Sequence, residues 1–323
     1  HSYKFSNWNK KNPPIVVLYT ESVGRAVCPN EDKLTLVNIF DKEFMEGDFV
    51  HVDKVSAFLL WGNTTLDRVK KYYPSLLDRF TVVGHPRHDA RCANSDIIKA
   101  KSEKIRVGFI TRHCTLNDFM DRKPIDAIVI SLFEPEHYHY YNKKTGDFLL
   151  NLDNNVSNQV YIESSEINTM LKIINCLNPD EYELSLRVHP RENMNVWADF
   201  VEKYKINVKL TDWRAPFCHW AKSMDYVIGP ASTSSYDCFM LGVKPISLQN
   251  IDPACREHLG SIPEELTALS SQIDKPESIE SLLELIKFKN DLFVPSEEIR
   301  EILSLEADYP DCKSSISKVV DKC

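Results

Sequence analysis

Glycine is scarce in this chain, nine residues in 323, and the motifs that glycine writes are missing. Neither GxGxxG nor the P-loop pattern GxxxxGK followed by Ser or Thr occurs, which weighs against a simple dinucleotide or P-loop site. No apolar run approaches the roughly eighteen residues that a membrane-spanning helix needs. The nine cysteines form no CxxC pair and no metal-ligand spacing. An odd, unpatterned set of this kind reads as reduced, partly buried thiols of a cytosolic protein. An excess of basic charge is missing too: 39 Lys and Arg stand against 47 Asp and Glu, a net charge of −8. A nucleic-acid binder would show a basic face, so no nucleic-acid partner is expected. There is no internal repeat and no low-complexity segment.

What is present is ordinary for a soluble globular protein, 43% apolar and 27% charged residues, and enough chain for two cores. The stretch from Glu183 to Ser247 carries the clearest organisation. It alternates strand and helix patterns. Leu184–Val188 is a strand, and a helical stretch follows it. Asn207–Leu210 is a short strand, Pro216–Lys222 a small helix and Met224–Gly229 a strand. A helix then opens at Ser232, before a strand near Lys244. That rhythm predicts a parallel sheet, in which ligands bind beyond the carboxyl ends of the strands. Two polar clusters fall at those ends, Arg187/His189/Arg191/Glu192 and Ser232/Thr233/Ser234/Ser235. Basic groups on one wall and a Ser/Thr-rich helix start on the other suit a phosphate. Asp237, one turn after Ser234, is placed either to take ribose hydroxyls or as a solvated helix residue.

The N-terminal part supplies buried strand patterns at Ile15–Tyr19, Val55–Trp61 and Phe80–Val83, and helices at 34–44 and Leu66–Tyr73, the latter stopped by Pro74. Glu21, just past the first strand, is either a site carboxylate or part of an ordinary polar loop. Gly84-His85-Pro86-Arg87 reads mainly as a turn closing the third strand. Ala93–Lys104 is charged and reads as the linker, which divides the chain into 1–104 and 105–323. Three strands are fewer than a nucleotide-binding half usually has, so a truncated first domain is expected. Ile105–Ile110 opens the second domain as a strand and leads into the polar loop Thr111–Phe119. Asp126–Phe133 reads as helix or strand, and Glu134–Asn158 as irregular chain with a functional role. Tyr161–Leu177 is a helix with Ile162, Ile167, Met170, Leu171, Ile174 and Leu177 on one face. Two late helices are expected, from Pro276 to Ile286 and from Ser296 to Leu305. The His137–Tyr141 cluster lacks a second cluster to complete a metal site, so no metal is expected.

Trp61-Gly62, Gly84-His85-Pro86-Arg87-His88-Asp89, Arg187–Glu192 and Ser232–Ser235 through Gly242-Val243-Lys244-Pro245, in that order, resemble bacterial surface-polysaccharide glycosyltransferases. Among these the sequence is most similar to the retaining β-Kdo transferases, over residues 15–250. The resemblance implies a GT-B fold of two Rossmann-type parallel-sheet domains, the first short, and transfer of Kdo from CMP-Kdo to a polysaccharide or glycolipid acceptor. His-Pro pairs also occur in bacterial sialyltransferases and in polymerases using CDP-glycerol, which carries the cytidine implication further than the Kdo one. By the same resemblance His189, backed by Arg187, would hold the donor phosphate together with Ser232, Thr233, Ser234 and Ser235, while Asp237 would face the ribose. Glu21 would be an acid/base residue, and Asp153 or, second to it, Asp118 the carboxylate nucleophile of a double displacement. Two departures stand out: the short first domain, and Asp237 where related enzymes often carry Glu. No cofactor is implied beyond the CMP-sugar. The expected location is cytoplasmic, with peripheral association at the inner face of the bacterial membrane. The rival expectations are a CDP-glycerol-dependent glycerophosphotransferase and an inactive nucleotide-binding module.

Overall fold

Among the described residues, short apolar stretches form the strands, and every strand pairing is parallel. A computed structural model describes residues 15–18, 55–72, 74–84, 102–121, 123, 152–230, 234–252, 254, 271–290 and 293–307. The first sheet has the order β1-β2-β3, from Ile15–Leu18 (β1), Val55–Leu60 (β2) and Phe80–Val82 (β3). Helix α1 (Asn63–Tyr72) and a 3-10 turn (Pro74–Arg79) connect the last two. Phe58, Leu59, Leu60 and Trp61 are all buried, since a parallel strand is covered on both faces. The Phe58 and Phe80 rings stack with centroids 4.6 Å apart.

The second sheet is built around Ile105–Ile110 (β4). The chain passes through α2 (Leu152–Cys176) to β5 (Tyr182–Arg187), then through α3 (Met194–Tyr204) to β6 (Lys209–Thr211). It then crosses back through α4 (Phe217–Lys222) to β7 (Tyr226–Gly229), and through α5 (Ser234–Met240) to β8 (Lys244–Ser247). The spatial order is β6-β5-β4-β7-β8, so the direction of winding reverses between β4 and β7. A crevice opens beyond the carboxyl ends of the strands at such a reversal.

Side chains divide by face. Val107, Phe109, Leu184, Leu186 and Ile228 join Met170, Ile173 and Ile174 of α2 and Trp197 of α3 in the larger core. Val227 joins Trp220, Met224, Cys238, Leu241 and Val243 on the other side. Gly108, in the central strand, is open only because it lacks a Cβ. One built there would lie 2.7 Å from the Trp220 ring and 2.8 Å from Met224 Cγ. The indole N–H of Trp220 donates to Ser185 Oγ at 2.8 Å, which leaves no slack for that ring to retreat.

Among the described residues α6 (Ile279–Leu285), begun by a Ser278–Ser281 capping box, and α7 (Glu297–Ala307) follow. Helix α7 returns to the first sheet. Ile299, Leu303 and Ala307 pack in one cluster with Trp61 and with Tyr236, Phe239 and Met240 of α5, and Thr64 Oγ1 donates to Leu305 O at 3.4 Å.

The α/β class with parallel sheets is thus the one the sequence predicts. Three details differ from the expectation. Helix α2 begins at Leu152, inside the stretch read as irregular. The short strand falls at Lys209–Thr211 rather than Asn207–Leu210. The buried stripe of α2 runs Glu163, Glu166, Met170, Ile173, Ile174, Leu177, while Ile162, Ile167 and Leu171 are only half-buried. The helix expected at 34–44, the segment 126–133 and most of the linker lie outside the described residues. Among the described residues no helix is long and apolar enough to cross a membrane.

Candidate functional site

The carboxyl ends of β4 and β5 share one hydrogen-bonded edge, and it sets the position of His189. Thr111, just past β4, donates its N–H to Arg187 O at 3.2 Å, and its Oγ1 accepts from His189 N at 3.0 Å. Glu192 N then donates to His189 O at 2.9 Å, closing the turn His189-Pro190-Arg191-Glu192 that feeds α3. Asn193 caps that helix, its side chain accepting from Asn195 N at 2.9 Å. Within the turn the Arg191 N–H donates to His189 Nδ1 at 3.2 Å, and Cys114 Sγ lies 3.3 Å from the same nitrogen. An imidazole that accepts at Nδ1 carries its proton on Nε2. Burial pushes the Cys114 thiol up to about 12, with Glu192 adding to the effect, so the sulfur keeps its proton.

The loop that follows β4 is braced by three buried carboxylates. Glu163 accepts from the N–H groups of Thr115 and Leu116, each at 2.9 Å. Glu166, one turn further along α2, meets Arg112 Nη2 at 3.1 Å and His113 Nε2 at 3.4 Å. Glu192 is 2% exposed, and it accepts from His113 N at 2.8 Å through Oε1 and from Trp197 Nε1 at 2.6 Å through Oε2. Burial raises its carboxyl above the usual range, against the opposing pull of His113 and the Trp197 hydrogen bond.

The expected site residues take different places in this frame. His189 and Asp118 are brought into the same loop cluster. Asp118 forms an isolated antiparallel bridge with Glu192, and Phe119 N donates to Arg191 O at 3.0 Å. Asp118 is itself buried, and its Oδ1 accepts from Met120 N at 2.8 Å. Arg191 is exposed. Glu192, expected among the donor-binding groups, directs both oxygens at protein donors and holds the two loops together.

Arg187 turns its guanidinium to the next connection. Its Nη2 donates to Ala215 O at 2.6 Å and to Trp213 O at 3.0 Å, and its Cζ stands 5.4 Å from the Phe217 ring centroid. Ser234 begins α5 beyond β7, half-buried, with Ser235 and Asp237 buried behind it. Asp153 lies in the first turn of α2, with its side chain outside the described residues. Glu21, Ser232 and Thr233, like His85 to Asp89, lie outside the described residues altogether.

Sequence reasoning missed Thr111, His113, Cys114, Glu163 and Glu166 as parts of the site. The signal available was the acidic pair Glu163 and Glu166, three apart and in line with Met170, Ile173 and Leu177. Carboxylates on the buried stripe of a helix must meet donors, and here these come from the β4 loop. Among the described residues one group has the spacing of metal ligands. It comprises Cys114, His189 and Glu192, whose ligand atoms lie within 4.8 Å of one another.

No protein-family model and no curated protein matches this chain. Solved structures do match it. The wall teichoic acid polymerase TagF aligns with 97% of this chain and 68% of its own, at 12% identity and a TM-score of 0.54. A histidine-to-alanine variant of TagF aligns with 100% of this chain and 71% of its own, at 10% identity and a TM-score of 0.56. A histidine-to-asparagine variant soaked with CDPG aligns at 12% identity, covering 97% of this chain and 69% of its own, with a TM-score of 0.51. At such identities the likeness is one of fold, and the fold is of GT-B type.

Proposed function

We propose that this chain is a transferase that draws an activated group from a cytidine-nucleotide donor and passes it to a glycan or lipid-linked glycan in surface-polymer assembly. The observation that carries the reading is His189: it sits at the carboxyl edge of the second sheet, and Arg191 N–H fixes its Nδ1 as acceptor. The Nε2–H is then the group offered to a donor phosphate, where a charge-assisted hydrogen bond stabilises the departing anion. Ser234, at the start of α5 beyond the neighbouring side of the crevice, supports the same placement. No metal is needed in this scheme, and the enzyme would work at the inner face of the membrane.

Two donors fit a cytidine site. The order of motifs along the chain supports CMP-Kdo, with Asp153 or Asp118 as nucleophile and Glu21 as acid/base group. The fold shared with TagF, one crystal of which was soaked with CDPG, supports CDP-glycerol, and that transfer requires no carboxylate nucleophile.

The test is a panel of CMP, CDP, UDP and GDP read by melting temperature. Ligand at a hundred times its Kd stabilises by about 2.7 kcal/mol, so a cytidine preference would be plain. His189→Ala should weaken CMP binding about tenfold or more, the loss of a hydrogen bond worth about 1.5–3 kcal/mol. Equal shifts with all four nucleotides, or unchanged CMP affinity in a folded His189→Ala protein, would overturn the reading. Incubation with each donor, without acceptor, then separates the chemistries. CMP-Kdo transfer predicts one Kdo added to a peptide holding Asp153 or Asp118, and a Glu21→Gln enzyme slower by about 10²–10⁴-fold. Glycerophosphate transfer predicts no such adduct, and CMP binding without turnover of either donor marks an inactive module.

A further inference from the structure

Cys114 Sγ, His189 Nδ1 and a Glu192 carboxylate oxygen converge from two loops that the fold holds in register. The sulfur and nitrogen are 3.3 Å apart, and the three ligand atoms lie within 4.8 Å of one another. In a tetrahedral zinc site, metal–ligand lengths of about 2.0–2.3 Å put neighbouring donor atoms roughly 3.2–3.6 Å apart. The sulfur–nitrogen edge therefore already has the required length, and the carboxylate need close only by about an ångström.

We propose that Cys114, His189 and Glu192 form a binding site for a soft divalent cation of the zinc class. Thiolate and imidazole donors select such a metal over magnesium or calcium, which prefer oxygen. Binding replaces the thiol proton of Cys114, which leaves to solvent, and the imidazole joins as a neutral ligand. Arg191 N–H gives up its acceptor at Nδ1. Glu192 keeps its donors, His113 N and Trp197 Nε1, on its remaining lone pairs, and these hold the carboxylate in its ligating orientation. The fourth position is left to solvent.

A cation on Nδ1 leaves the Nε2–H of the same ring directed away from it. The site gains one net positive charge, two from the metal less one from the thiolate, on the far side of the ring from Nε2. Metal and phosphate should therefore assist each other, and by linkage each raises the affinity of the other by the same factor. This coupling rests on the donor-phosphate role of His189, whereas the metal site does not.

The experiment is zinc titration of the whole chain in competition with a chromophoric chelator, with cobalt as a spectroscopic probe. Wild-type protein should bind one equivalent tightly and show a sulfur-to-cobalt charge-transfer band. Cys114→Ser should lose that equivalent by a hundredfold or more in affinity, together with the band. Cys176→Ser, which removes an exposed thiol elsewhere, should keep both. His189→Ala provides a second variant in case Cys114→Ser misfolds, and it should lose the same equivalent. Zinc stoichiometry and affinity unchanged in a folded Cys114→Ser or His189→Ala protein would overturn the site. CMP affinity measured with and without zinc separates the two claims. Tighter CMP binding with zinc supports both the site and the phosphate role. A metal-dependent band with CMP affinity indifferent to zinc keeps the metal site and removes the donor role of His189.

Discussion

His189 Nδ1 is shared by a main-chain N–H and a thiol, and the chemistry of both partners follows from that. Cys114 is only partly buried, yet its thiol is pushed from 9.0 to about 12, which at a given pH cuts the thiolate about a thousandfold. Alkylation requires the thiolate. In a time course with iodoacetamide, followed by peptide mass spectrometry, exposed Cys176 should react first and Cys114 at least about a hundredfold more slowly. Comparable rates at the two positions would show that the sulfur does not sit where His189 and Glu192 hold it. The place of His189 beyond the carboxyl end of a strand was legible from the His-Pro pair that follows the apolar pattern. Glu192 was named beside His189 as its neighbour in sequence, and its bracing hydrogen bonds to His113 N and Trp197 Nε1 left no mark there. The turn closed by Glu192 N and His189 O leaves the two side chains within reach of each other, His189 half-buried at the loop edge and Glu192 buried against Trp197.

Between elements, the decisive contact is α2 against the loop after β4. Glu163 is 1% exposed, and its carboxylate takes two N–H groups that the loop cannot satisfy internally. Glu163→Ala should cost about 1.5–3 kcal/mol, the value of hydrogen bonds to a charged acceptor. Amide exchange should quicken at Thr115 and Leu116 while Met170 to Leu177 stays protected. Unchanged exchange at those two amides would mean that the loop is held by something else. The strands were readable because short apolar patterns bounded by polar turns mark them: Ile105–Ile110 alternates, and Tyr226–Gly229 is a continuous apolar run. The first turns of α2 were not, since Asp153, Asn154, Asn155, Ser157 and Asn158 are all poor helix formers. Nor was the bracing face of that helix readable, because a pattern of apolar against polar residues turns Glu163 and Glu166 outward. The fold turns them inward and meets them with donors from more than forty-five positions away in the chain.

At the scale of the molecule, two parallel sheets are tied by the return of α7. Leu303 is fully buried among Trp61, Tyr236 and Phe239, so its side chain serves both sheets at once. Leu303→Ala should destabilise by about 2–5 kcal/mol, as buried leucine deletions do. The loss should also appear in both sheets together: melting followed by Trp61 emission and by amide exchange in β4 should fall in step. A variant that loosens Trp61 and leaves β4 untouched would show the sheets to be energetically separate. The strands of the described residues and their parallel sense were legible from local patterns. The β6-β5-β4-β7-β8 order was not, because a crossover between distant strands leaves no mark in any short window. The closing helix has a further consequence for synthesis on the ribosome. Chains usually fold from the amino end as they emerge. Here Tyr236, Phe239 and Met240 pack with Trp61 from about 175 residues downstream and α7 from more than two hundred, so the cluster around the indole is completed only after Leu303 has cleared the exit tunnel. Until then the nascent chain carries exposed apolar surface of the kind that makes chaperones necessary.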